Sequence, residues 1–86
     1  MTDEIRRGEH AARLLTDDVL KAAFENLDAA YVKAWRAGQT MEAREEAHRM
    51  LTALAKLQAD LKSMVMTGRI TDERIRELTG KKRFWG

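Results

Sequence analysis

The stretch 41–67, MEAREEAHRMLTALAKLQADLKSMVMT, decides the fold. Its apolar residues Ala43, Ala47, Met50, Leu54, Leu57, Leu61 and Met64 recur at spacings of 4, 3, 4, 3, 4 and 3, with Leu51 and Val65 beside the row. Alternating threes and fours keep side chains on one face of an α-helix, and a repeat held for about three heptads is a coiled-coil seam. The chain contains no proline, so the strongest helix breaker is missing. At 1.5 Å per residue this helix is about 40 Å long. Its apolar stripe needs a partner.

The partner lies upstream, in a helix over about 17–37. Leu20, Phe24, Leu27, Tyr31 and Ala34 are spaced 4, 3, 4 and 3, and Ala23, Ala30 and Trp35 widen the stripe. Gly38 follows as the C′ residue, where positive φ is expected. Gln39 and Thr40 complete a short connection of the kind that joins antiparallel helices, and Thr40 caps the next one. Two short helices flank this hairpin. The first covers about 3–13, with Thr2 as N-cap, Asp3 and Glu4 in the first turn, and Gly8 as a weak point. Thr16 caps the restart. Gly68 is read as the end of the long helix, Thr71 as the cap of a short helix over 72–78, and Gly80 as its stop. The expectation is one all-α domain over 1–86: a short N-terminal helix (1–15), a long antiparallel helical hairpin (17–67), a short helix (69–80) and a basic, aromatic tail (81–86). Phe24, Leu27, Tyr31, Leu54, Leu57 and Leu61 form its expected core.

Composition narrows the chemistry. Of 86 residues, 44% are hydrophobic and 35% charged, which fits a folded domain rather than a disordered chain. No apolar run approaches the roughly 20 residues of a membrane span. Cysteine is absent, which excludes disulfides and thiolate metal sites. The charged start, Met1-Thr2-Asp3-Glu4-Ile5-Arg6-Arg7, lacks the apolar stretch of a signal peptide, so a cytoplasmic location is expected. One serine, one tyrosine and two histidines are a poor stock for catalysis. Glu45 and His48 have the spacing of a bundle metal motif, but with Ala47 and Met50 in the seam both point outward, among Glu42, Glu46 and Arg49. His10 has no second ligand near it in sequence. Asp17 and Asp18 belong to a first helical turn. The reading is a non-enzyme with no catalytic residue, metal, cofactor or small-molecule substrate.

Partners are expected instead, because a chain this short buries only about 60–65% of its unfolded surface. Trp35, Leu51 and Val65 lie beside the seams and Phe84 and Trp85 near the chain end, and these five are the candidate contacts with a second copy or a larger protein. Charge is graded: residues 1–18 carry three basic and five acidic groups, residues 69–86 six and three. Arg69, Arg74, Arg76, Lys81, Lys82 and Arg83 are the candidate contacts for nucleic acid or an acidic surface. Asp72 and Glu73 stand where a recognition helix meets phosphate, so binding there would be weak and non-specific. Three cations ahead of two aromatic rings also suit a docking tail entering an apolar pocket with an acidic rim.

With Arg6-Arg7-Gly8-Glu9, the helix from Ala22-Ala23-Phe24 to Ala34-Trp35-Arg36, and Gly80-Lys81-Lys82-Arg83-Phe84 in view, the chain resembles small helical proteins encoded among the DNA-packaging and head-assembly genes of tailed bacteriophages and prophages. The resemblance covers most of the chain through short motifs. It implies a non-enzymatic virion or packaging component acting as a multimer, in the host cytoplasm and the virion. The hairpin is also similar to the oligomerisation hairpin of small terminase subunits, although the first 18 residues are too few for the usual DNA-binding domain of that group. The alternatives are a small nucleic-acid-binding protein and a regulator that blocks a host protein. Circular dichroism should show more than about 65% helix, against about one-third in an average globular protein, and a substantial strand signal would refute this reading.

Overall fold

The computed structural model describes residues 2–85, with side chains described for 2–79. Three helices make up the fold, α1 (Asp3–Leu15), α2 (Asp18–Ala37) and α3 (Met41–Trp85), and no strand occurs among the described residues. The short connection 38–40 folds α2 back along α3. Both α1 and α2 pack on α3 and scarcely touch one another. The result is a two-layer rod of 70 × 24 × 16 Å in which one arm is a single 45-residue helix and the other is interrupted once. Its radius of gyration is 19.3 Å, against about 12 Å for a compact domain of this length.

The interruption and the hairpin turn are set by side-chain hydrogen bonds. Asp17 Oδ1 accepts from the Leu20 N–H at 2.8 Å, so Asp17, not Thr16, caps α2. The Thr16 hydroxyl instead donates backward to the carbonyls of Ala12 and Arg13, both at 3.1 Å. Thr40 caps α3, as its position implies, with Oγ1 accepting from the Ala43 N–H at 3.0 Å. Thr2 precedes α1 but makes no side-chain cap bond. Gly38 is extended, with φ −61° and ψ 121°, and needs no left-handed conformation. Space constrains it instead: a β-carbon there would stand 2.8 Å from Arg44 Cγ, and the Arg44 Nε–H donates to the Gly38 carbonyl at 3.1 Å.

The expected breaks at Gly68 and Gly80 do not occur, and the short helix over 69–80 is the continuation of α3. Thr71 is no cap; its hydroxyl donates to the Thr67 carbonyl at 2.9 Å, the habit of a threonine inside a helix. Gly68 is buried and serves the crossing of α1 over α3. A β-carbon on Gly68 would lie 2.9 Å from the Glu4 carbonyl oxygen and 3.1 Å from Gly8 Cα, and one on Gly8 would lie 2.9 Å from the Met64 carbonyl oxygen. Two backbones meet here with no side chain between them. Glycine inside a helix costs about 1 kcal/mol relative to alanine, and the close contact with α1 offsets that cost.

The same contact shifts the seam. Among the buried and half-buried residues of α3, Ala47, Leu51, Leu54, Gln58, Leu61, Val65, Gly68, Asp72 and Ile75 continue the 4, 3 alternation, with Met64 and Thr71 half-buried beside them. Ala47, Leu54, Leu61 and the half-buried Met64 are shared with the row read from sequence, but Leu51 and Gln58 replace Met50 and Leu57. Leu57 is 52% exposed and Leu27 44%, so neither belongs to the core. Phe24, at 8%, does, together with Ala11 and Ala47. Tyr31, Leu54 and Leu61 are half-buried. Two layers cannot enclose a stripe this wide; they cover its middle and leave its edges in water.

Gly8→Ala and Gly68→Ala should each lower the melting temperature. Overpacking costs about 1–3 kcal/mol, against which the helix-propensity gain is about 1 kcal/mol. An isolated peptide of the α3 sequence should show the opposite sign, with Gly68→Ala raising helicity, because α1 is absent.

Candidate interaction surfaces

The accessible surface is 7220 Å², whereas a compact monomer of 9.9 kDa exposes about 5,200 Å². The excess, about 2,000 Å², measures what a two-layer rod cannot bury. On each side of the seam the rod presents a flank built from both arms.

On α3 the central row is Ala47, Leu54, Leu61, Gly68 and Ile75, each seven residues from the next. Four residues after each of the first four stand Leu51, Gln58, Val65 and Asp72; three residues after stand Met50, Leu57, Met64, Thr71 and, beyond Ile75, Leu78. These two rows border opposite flanks. In antiparallel helices, corresponding rows fall on the same side. Trp35, four residues after Tyr31, therefore belongs with the first flank, where it borders a cleft of about 400 Å³ shared with Met41, Arg44, Glu45 and His48. Ile5, Glu9 and Ala12 meet Val65 and Arg69 farther along that flank. Leu27, three residues after Phe24, belongs with the second flank. There Glu4 and Arg7 meet Ser63, Met64 and Thr67, and Leu14, one heptad after Arg7, continues the same face.

The residues singled out from sequence separate accordingly. Trp35 is 47% exposed and edges the cleft rather than sealing it. Leu51 and Val65 are half-buried in the intramolecular seam. The second flank exposes Leu27 and Leu57 with Met50, Leu14 and, beyond them, Leu78, while Val19, Met41, Met66 and Ile70 are exposed elsewhere on the rod. Phe84, Trp85, Lys81, Lys82 and Arg83 lie outside the residues whose side chains are described. Arg69 and Arg76, one heptad apart, share a face, and Arg74 stands on the other side of the helix. Arg76 is engaged by Asp72 at 3.2 Å, with both residues on α3. The three described arginines thus do not converge on one surface.

Electrostatics here are those of solvated helix faces. Arg49 donates to Glu46 at 2.6 Å, and this hydrogen bond, helped by the charges of Glu46 and Glu45, raises the Arg49 guanidinium above its ordinary value. Glu45 and His48 are exposed on the wall of the Trp35 cleft. Among the described residues no group of three or more His, Cys, Asp or Glu side chains is placed to hold a metal ion, and no helix is long and apolar enough to cross a membrane.

Compared with protein-family models, with curated proteins and with solved structures, the chain matches none.

One sequence signal would have located the α1 contact. Gly68 continues the series Ala47, Leu54, Leu61 at the same seven-residue interval, so it sits on the seam and not beyond its end. The different burial of the aromatics gives a stability test. Phe24→Ala should cost about 3–5 kcal/mol by chemical denaturation, and Trp35→Ala, already half in water, clearly less.

Proposed function

We propose that the chain is a non-enzymatic structural or adaptor component of a phage-type virion assembly or DNA-packaging machine, which works by packing its apolar flanks against other protein. The observation that carries this reading is the surface excess of about 2,000 Å² on a rod that leaves Leu14, Leu27, Met50, Leu57 and Leu78 exposed along one flank. Exposed heptad rows are the form in which helices recognise other helices.

The setting rests on the resemblance carried by Arg6-Arg7-Gly8-Glu9, the Phe24 to Trp35 helix and the Gly80-Lys81-Lys82-Arg83-Phe84 ending. In that setting the stretch 81–86 supplies a second attachment: three cations for an acidic rim and two aromatic rings for a pocket. Nucleic acid is the weaker partner. Arg69 and Arg76 diverge from Arg74, and Asp72, Glu73 and Glu77 lie among them, so few phosphates can be neutralised together.

The test is gradient sedimentation of the tagged chain expressed with the genes that adjoin its own. It should travel with a heavy assembly, and confinement to the light fractions would reject the proposal. Deleting 81–86 should leave helix content nearly unchanged and remove the chain from the heavy fractions. A salt titration of DNA binding addresses the competing role: steep salt dependence with affinity surviving near physiological salt would favour it.

A further inference from the structure

We propose that the second flank, bearing Leu14, Leu27, Met50, Leu57 and Met64, is the seat of a second copy of this chain, paired about a two-fold axis with the two α3 helices antiparallel. The proposal rests on reading the chain as an assembly module and names its first partner.

Three observations point to this occupant. The first is continuity. The exposed Met50, Leu57 and Leu78 stand at multiples of seven residues on α3, with the half-buried Met64 in the same row, and the exposed Leu14 and Leu27 lie on the same side of the opposite arm. Both arms therefore contribute to one face, which a partner of similar length and layering can cover. The second is area. A stable pair of standard size buries about 1,600 Å² in total, or about 800 Å² from each chain. That is a small part of the 7220 Å² the chain exposes, so pairing through one flank leaves the Trp35 side free for a larger assembly.

The third is charge. Along the outer edge of the α3 row run Glu46, Asp60 and Arg74, fourteen residues apart. Parallel two-fold pairing would place this row and its copy on opposite edges of the interface, where neither can meet the other. Antiparallel pairing centred on Asp60 sets Glu46 against the partner's Arg74, and Arg74 against the partner's Glu46, leaving only Asp60 facing its own kind. The same register sets Leu57 against the partner's Met64. Glu46 already holds Arg49 within the chain, but that pair is exposed and exchangeable, with both side chains more than half accessible. Charge complementarity between Glu46 and the partner's Arg74, made twice, thus favours the antiparallel orientation, and the apolar row supplies the adhesion.

The chain has no cysteine, so engineered thiols report geometry without interference. Sedimentation of the full chain at micromolar concentration should give twice the 9.9 kDa chain mass. Leu57→Glu should halve that mass with helix content retained, since the side chain is already half in water. Val19→Glu, at a residue 79% exposed on the outer face of α2, should leave the pair intact. Oxidation of a chain carrying both Glu46→Cys and Arg74→Cys should yield a covalent dimer. Met50→Cys alone should not, because antiparallel pairing holds the two copies of residue 50 about 30 Å apart along the axis. A monomer at tens of micromolar, a Leu57→Glu chain that stays paired, or efficient cross-linking through Met50→Cys alone would each overturn the proposal. A monomer that still travels with the heavy assembly would refute the pairing and leave the assembly role standing. A dimer found in no assembly would do the reverse.

Discussion

Everything in this rod depends on how closely α1 can approach α3. The approach is set by two glycines: a β-carbon on either would come within 3 Å of a carbonyl oxygen of the facing helix. Removing both β-carbons lets the short helix lie backbone to backbone against the long one. The contact then compensates for the flexibility that glycine brings to a helix interior. It anchors the far end of α3, which the hairpin turn at 38–40 cannot reach. Without it, the long helix would extend past α2 with no second layer beneath it.

The architecture was legible in the sequence where its signals were redundant. The heptad spacing over 41–67, the stripe over 20–34 and the three-residue connection all favour an antiparallel pair, and the Thr40 cap lies where the connection places it. Boundaries that rested on single residues were not legible. Gly68 reads as a stop because glycine usually marks one, yet its meaning was settled by Gly8, sixty residues away in sequence. Thr16 and Thr71 read as caps because threonine often caps, yet both donate to carbonyls of the preceding turn. A hydroxyl can serve a helix start or a helix interior, and only the backbone around it decides which.

The candidate surface was half legible for a related reason. Periodicity identifies an apolar face but not how much of that face an intramolecular partner covers. Leu57 and Leu51 both fit the heptad; tertiary packing drew Leu51 inward and left Leu57 at the edge. The packed middle of the seam accepts small residues, Ala11, Ala47, Gly8 and Gly68, because the helices are close together there. The bulky residues are correspondingly displaced to the flanks. The small-residue centre and the leucine and methionine edges are therefore two aspects of one packing solution.

The continuity of α3 also bears on how this chain tolerates changes in its own length. Each residue added to a helix advances it by about 1.5 Å and turns it by about 100°. Loss of a single residue between Leu54 and Gly68 would rotate everything beyond it and carry Gly68 away from Gly8. Loss of seven shortens the rod by about 10 Å and returns every row to its original side. Length in this molecule is thus quantised in heptads: lineages can lengthen or shorten the rod in steps of seven when both arms change together, and insertions of other sizes belong in the turn at 38–40 or the joint at Thr16 and Asp17.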